Sequence, residues 1–211
     1  MTEGLLDPAT TLLPTGDPYD PLRDIPALLT IKNKQGQRVP FVPNPMQRDM
    51  LETQTYRNID LKGRQQGVTS VKAADYCIRA CLRGNISYAL VLDEDEKAER
   101  WREIIRSWIR EDLRQWGISP RIGKDNSTVL TLPGVGSEIY VFSAGKKAPG
   151  RSGEFNILHL SEAAHYADGE KAVTALEPSV PAPPWGVIDE ESTPNGVGDM
   201  FYNDWKAAKE A

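Results

Sequence analysis

Apolar and polar positions change their period along the chain at about residue 58. Upstream, residues 29–41 alternate around Lys34-Gln35-Gly36-Gln37, which predicts a β-hairpin. Asn44-Pro45-Met46-Gln47 follows and reads as a helix start, with Asn44 as N-cap and Pro45 in the first helical position. That helix runs to about residue 53. From Asn58 onward, strand-length apolar runs alternate with helix-length amphipathic ones. Strands are predicted over 58–62, 86–92, 128–132, 138–142, 155–160 and 186–189, and helices over 69–82 and 93–116. In the second helix Ala98, Trp101, Ile105, Trp108 and Leu113 form the apolar stripe, which makes the two tryptophans core residues. Asp93 and Glu96 form a capping-box pair at its start, and Gly117 ends it. Strands alternating with helices imply an α/β fold with a mainly parallel sheet covered by helices on both faces.

Eight of the sixteen prolines fall within the first 45 residues. Residues 1–26 therefore read as an extended arm with little core of its own. The division expected is an arm and hairpin over 1–40 and one larger domain over 41–211. There is no internal repeat and no low-complexity tract.

Composition narrows the function classes. The chain has 211 residues, the size of one ordinary domain, and a net charge of −5, which argues against a dedicated basic nucleic-acid binder. No apolar run approaches the ~18 residues that cross a bilayer. The first residues lack the basic-then-apolar order of a signal peptide, so a cytoplasmic protein with no membrane partner is expected. Cys77 and Cys81, four apart on one helix face, read as buried thiols.

The candidate chemistry begins at Lys62-Gly63-Arg64-Gln65-Gln66-Gly67-Val68-Thr69-Ser70, between a strand and a helix. This is the setting of a phosphate-binding loop, whose backbone N–H groups cradle phosphate oxygens. Aligned on Gly67, Thr69 fills the hydroxyl slot of the standard pattern. Val68, however, stands in the lysine slot and Lys62 in the first glycine slot. Lys62 or Arg64 must then supply the cation for the phosphates, and Thr69 a hydroxyl for Mg2+. A second apolar strand ends in Ser161-Glu162, where such enzymes carry an acid for the metal and a glutamate that polarises water. Glu162 fits the second role. Ser161, uncharged, reaches Mg2+ only weakly, through a bound water, unless another residue takes the metal role. A plainer reading makes Glu162 a helix cap. His159, Glu162 and His165 are spaced by three, which is not the spacing of a helical zinc site.

Together with Glu191-Ser192-Thr193-Pro194-Asn195-Gly196, these segments in this order resemble the ATPase domain of bacteriophage large terminase subunits, the motors that package DNA. The resemblance covers roughly residues 40–205. It implies a P-loop NTPase fold of the ASCE/RecA-like kind, with ATP and Mg2+ as substrate and cofactor. Several members carry the lysine at the start of the loop and Ser-Glu in the second motif. On this resemblance Gln47 recognises adenine, and residues 62–70 hold the triphosphate: Lys62, Gly63, Arg64, Gln65, Gln66, Gly67, Val68, Thr69 and Ser70. Glu162 activates water, and Ser192, Thr193 and Asn195 couple hydrolysis to DNA movement. Arg151 is the candidate for an arginine inserted into a neighbour's site, with Lys146 and Lys147 as alternatives. A plainer reading gives that loop to solvent or DNA phosphate. The implied partners are double-stranded DNA, other copies of the chain in a ring, the portal protein and the small terminase subunit, in the host cytoplasm. The residues after Gly196 leave no room for the nuclease domain that follows in full-length members, so no nuclease activity is expected of this chain. The competing expectation is a nucleotide-binding assembly module with little or no hydrolysis of its own, to which Val68 and Ser161 lend support.

Overall fold

The computed structural model describes residues 4–7, 11–118, 120–145 and 154–210. In chain order the elements are α1 (Pro21–Leu28), β1 (Thr30–Lys32), β2 (Arg38–Pro40), α2 (Pro45–Glu52), β3 (Arg57–Leu61), α3 (Val68–Leu82), β4 (Ser87–Leu92) and α4 (Asp95–Ser107). They continue with β5 (Val129–Leu132), β6 (Ser137–Ser143), β7 (Ile157–Ser161), α5 (Gly169–Leu176), β8 (Val187–Ser192) and α6 (Met200–Glu210). β1 and β2 form the expected hairpin. The other six strands make one sheet in the order β3-β8-β7-β4-β6-β5, parallel except for β5, which runs antiparallel to β6.

β4 shows why the sheet needs two covers. Tyr88, Leu90 and Leu92 point to one face, Ala89 and Val91 to the other, and all five are buried. On the first face they meet α3 through Val71, Ala74 and Ile78, and α4 through Ala98 and Ile105. On the second face, Val173 and Leu176 of α5 and Phe201 of α6 pack with Leu158, Leu160 and Phe142. The α/β architecture with helices on both faces is therefore as expected. Cys77 and Cys81 are buried free thiols in the first of these layers.

Three local expectations need correcting. The N-terminal segment is not simply extended. Asp20 caps α1 by accepting from the backbone of Leu22, and Tyr19, Ile25, Leu28 and Leu29 join the main core. The helix expected over 93–116 is regular only over α4. It widens into a π-turn at Trp108–Asp112 and tightens into a 3-10 turn at Leu113–Trp116 before Gly117 closes it with φ +75°. Tertiary bonds hold that distortion: Asp112 accepts from the N–H and hydroxyl of Thr30 at 2.8 and 2.9 Å and from Arg38 at 2.6 Å. The Asp93–Glu96 capping box is not formed. Glu94 occupies the N-cap without a side-chain bond, and Asp93 pairs with Lys97. The Trp101–Trp108 pair lies edge-to-face in the core cluster.

Among the described residues no helix is long and apolar enough to cross a membrane.

Candidate functional site

Parallel strands deliver their C-terminal ends to one edge of the sheet, where ligands of such folds gather. Here β3, β7 and β8, adjacent in the sheet, end side by side at Leu61, Ser161 and Ser192.

The chain leaves β3 into the glycine-containing loop and re-enters helix at Val68. Gln65 and Gly67 both adopt left-handed backbone, with φ +58° and +70°. Gly67 is required twice over. Its φ disfavours any side chain, and a Cβ there would lie 2.6 Å from Gln47 Nε2. Gln47 explains that closeness. Its Oε1 accepts from the backbone of Asn44 at 2.9 Å, completing the capping box of α2, while its Nε2 donates to the Gly67 carbonyl at 2.7 Å. Asn44 Nδ2 adds a bond to the Gln66 carbonyl at 3.3 Å. The loop is thus held from outside by the start of α2, and inside by Gly63 N donating to Gln66 Oε1 at 2.8 Å. The Gln47 amide, expected to read a base, spends one donor and one acceptor on the protein itself.

Lys62, at 8% exposure, points across the strand ends rather than outward. Its ammonium lies 2.8 Å from Glu162 Oε1, 2.5 Å from Glu191 Oε2 and 3.5 Å from Thr69 Oγ1. Burial pulls its pKa down, but the attraction of Glu191 and the bonds to both carboxylates outweigh this and raise it. Val68, in the usual lysine position, is fully buried, whereas Lys62 brings an ammonium to the strand ends. Arg64 is exposed on the loop. Ser70 lines a cavity of about 570 Å³ with Thr30, Arg100 and Trp101, between α3, α4 and the hairpin.

Thr69 Oγ1 stands 3.0 Å from Ser161 Oγ and donates to Glu191 Oε1 at 2.6 Å. Two hydroxyls and a carboxylate are all hard oxygen donors, the type Mg2+ selects. No group of three or more His, Cys, Asp or Glu able to hold a metal occurs among the described residues, so an ion bound here would complete its shell with water or phosphate oxygens. His159 is fully buried inside the sheet, with Nε2 3.5 Å from Glu191 Oε1 and Nδ1 3.3 Å from the Tyr88 hydroxyl.

Glu162 follows β7 in left-handed backbone, φ +58°. It holds the N-cap position of the 3-10 turn Ala163–His165 without a side-chain cap bond, so capping does not account for its carboxylate. Oε1 takes Lys62. Oε2 accepts from the N–H and hydroxyl of Thr193 at 3.1 and 3.0 Å. Burial raises its pKa, and the bonds from Lys62 and the Thr193 backbone overcome that, leaving it lowered and the group ionised.

Ser192 and Asn195 grip the same turn. Ser192 Oγ accepts from Ala164 N at 3.1 Å, and Asn195 Nδ2 donates to the Ala164 carbonyl at 2.9 Å. His165 Nε2 meets Thr193 Oγ1 at 2.9 Å, and Lys62 N donates to the Ser192 carbonyl at 3.0 Å. The three residues singled out after β8 therefore touch both the loop strand and the glutamate turn.

Glu191 opens the third sequence segment but has no role assigned to it there, and the strand predicted over 186–189 stops short of it. β8 instead continues through Ser192, and Glu191 pairs in register with Ser161. It is 1% exposed. Burial alone would raise its pKa, but the neighbouring His159 and Lys62 pull it down to about 2. The signal available was the unfilled acid at Ser161. Arg151, Lys146 and Lys147 lie outside the described residues.

No protein-family model and no curated protein matches the sequence. Solved structures do. The large terminase of bacteriophage HK97 superimposes with a TM-score of 0.68 at 14% identity, over 90% of this chain and 41% of that one. The ATPase domain of the Thermus phage P74-26 large terminase does so with a TM-score of 0.52 at 17% identity, and a mutant of that domain with 0.55 at 17%; each match covers 76% of this chain and 68% of the other. The chain thus has the P-loop NTPase-like fold of phage large terminase ATPase domains.

Proposed function

We propose that this chain is the ATP-hydrolysing motor domain of a viral large terminase, which drives double-stranded DNA into a procapsid. The observation that supports this reading most is the convergence of Lys62, Thr69 and Glu162 at the start of α3. The Lys62 ammonium reaches both of the others, 2.8 Å from the Glu162 carboxylate and 3.5 Å from the Thr69 hydroxyl. The N-terminus of α3 behind them favours anions.

In this reading Lys62 and the backbone of residues 63–69 hold the triphosphate, with Arg64 and Ser70 at the margin and Gln47 close to the base. Thr69 and Ser161 hold Mg2+, which neutralises phosphate charge and orients the oxygens. Glu162, kept ionised, polarises the attacking water. Ser192, Thr193 and Asn195 sense the state of the site through the Ala163–His165 turn and pass it to the DNA-moving surface. Arg151 of an adjacent copy completes the site in a ring. Portal protein and small terminase subunit are the further partners, and the host cytoplasm the place of action.

The test is titration with a non-hydrolysable ATP analogue and Mg2+, followed by turnover at rising protein concentration. Binding that requires Lys62, with turnover abolished in Glu162→Ala, is expected. No binding to the unaltered protein would sink the reading.

A second reading, a nucleotide-binding assembly module with little hydrolysis of its own, draws support from the contact between Lys62 and Glu162. A lysine that neutralises the glutamate leaves it a poor base until something draws the lysine away. Turnover that stays negligible even in the assembled ring favours this reading.

A further inference from the structure

The second strand motif lacks an acid, since Ser161 stands where a metal-binding aspartate is usual for P-loop enzymes. The fold places a carboxylate beside the gap. β7 and β8 are parallel neighbours, and Ser161 pairs in register with Glu191. Side chains paired across adjacent strands leave the same face of the sheet, a few ångströms apart. Thr69 Oγ1 shows the result, lying 3.0 Å from Ser161 Oγ and 2.6 Å from Glu191 Oε1. We propose that Glu191 provides the carboxylate charge of the Mg2+–nucleotide site, from the strand next to the one that carries Ser161.

The proposal rests on the nucleotide-binding reading above, and two arguments support it. The first is charge. Glu191 is 1% exposed, and a buried carboxylate needs a cation beside it. In this structure that cation is Lys62, 2.5 Å away. An ammonium has three N–H donors, and the Lys62 ammonium already faces Glu162, Glu191 and Thr69. To contact a phosphate, Lys62 must give up at least one of them. A divalent cation arriving with the nucleotide takes over the charge that Lys62 releases at Glu191. The lysine thus keeps the metal's place while the site is empty.

The second argument is orientation. By donating its only hydroxyl proton to Glu191, Thr69 turns its lone pairs away from that carboxylate. A hydroxyl fixed as an acceptor is what a metal ligand requires. Among the described residues the other acids at these strand ends are engaged or set back: Asp60, the register partner of Glu191 on β3, pairs with Lys72 at 3.5 Å. Glu162 is engaged by Thr193 and projects from the turn beyond β7, and Asp189 lies two residues down β8, bonded to Lys72 at 3.0 Å.

The test compares the affinity of a non-hydrolysable ATP analogue with and without Mg2+, in the full chain and in Glu191→Gln. It also records the electron paramagnetic resonance spectrum of Mn2+ bound with the analogue. Loss of an outer carboxylate weakens metal sites by about 10- to 100-fold. The gain in affinity due to Mg2+ should fall by that factor in Glu191→Gln, while metal-free binding, for which Lys62 no longer has to leave a carboxylate at Glu191, should not weaken. Ser161→Asp added to Glu191→Gln should restore the gain, because it returns the charge through the register partner. Should Glu191→Gln fail to fold, Glu191→Asp keeps the charge but shortens the reach, and is expected to alter the Mn2+ spectrum. A Mg2+ gain unchanged in folded Glu191→Gln, or a Mn2+ spectrum unchanged in Glu191→Asp, overturns this inference alone. No analogue binding by the unaltered chain overturns the motor reading, and this inference with it.

Discussion

Thr193 donates both its backbone N–H and its hydroxyl to one oxygen of Glu162, at 3.1 and 3.0 Å. The carboxylate is therefore aimed by the strand next door rather than by its own turn. Thr193→Val keeps the shape and the backbone bond but removes the hydroxyl. Turnover is expected to fall about 10-fold, near 1.4 kcal/mol of barrier, with analogue affinity unchanged. Steady-state kinetics beside equilibrium titration checks this, and equal losses in both would contradict it.

Lys62→Met removes the ammonium that Glu162 and Glu191 share. A buried carboxylate left without its partner typically costs about 3–5 kcal/mol. The mutant should unfold at markedly lower urea at pH 7. The pH dependence has a definite sign. Glu191, pulled down to about 2, gives stability that is full above the ordinary carboxylate range and is lost as the pH falls towards 2. The mutant lacks the Lys62 share of that gain, so the gap between the two proteins should narrow in acid. A gap that holds constant from pH 7 to 3 would assign the loss to packing.

Lys72, 1% exposed, ties α3 to the middle of two strands, with Asp189 at 3.0 Å and Asp60 at 3.5 Å. Tyr76 donates to the same Asp189 and accepts from Gln54 Nε2 at 2.7 Å. Lys72→Met leaves two carboxylates without their cation. A loss of about 3–5 kcal/mol is expected in denaturant melts. A loss under about 1 kcal/mol would mean that Tyr76 and its neighbours suffice.

Glu190, next to Glu191 along β8, behaves in the opposite way. Burial, then the charges of Asp204 and Glu177, push it up to about 8 against the pull of Arg57. A raised carboxyl gives stability that is full below the ordinary carboxylate range and is lost as the pH rises from there to its folded value. The fold should lose on the order of 2 kcal/mol from this group between pH 5 and 7. Glu190→Gln, neutral throughout, should flatten that part of the profile in thermal melts from pH 5 to 9. A profile parallel to that of the unaltered protein would count against it.

What could be read in the sequence was local. Lys62, Thr69, Ser161, Glu162 and Thr193 stand out because each belongs to a short segment with a fixed relation to a strand end. The two-faced sheet follows from runs such as 86–92, apolar at every position but Ser87. Glu191 could not be found in that way. Its neighbours Ser161 and Thr69 are 30 and 122 residues away by chain number, and their meeting depends on β8 lying between β3 and β7. The bend after Ser107 was hidden for the same reason, since Asp112 is held by Thr30 and Arg38 from the hairpin. The helix α1 was obscured by its own prolines. Pro21 suits a first turn, whereas Pro26 inside the helix argues against one.

The bond from Gln47 to the Gly67 carbonyl joins two parts of the chain that no strand connects. It makes the loop and the first turn of α2 a single mechanical piece. Any reshaping of Gly67 must either break that bond or drag the capping box of Asn44 with it. The segment ahead of β3 is thereby fitted with a linkage to the place where phosphate would arrive. A label on α2 should register an event in the loop without touching it.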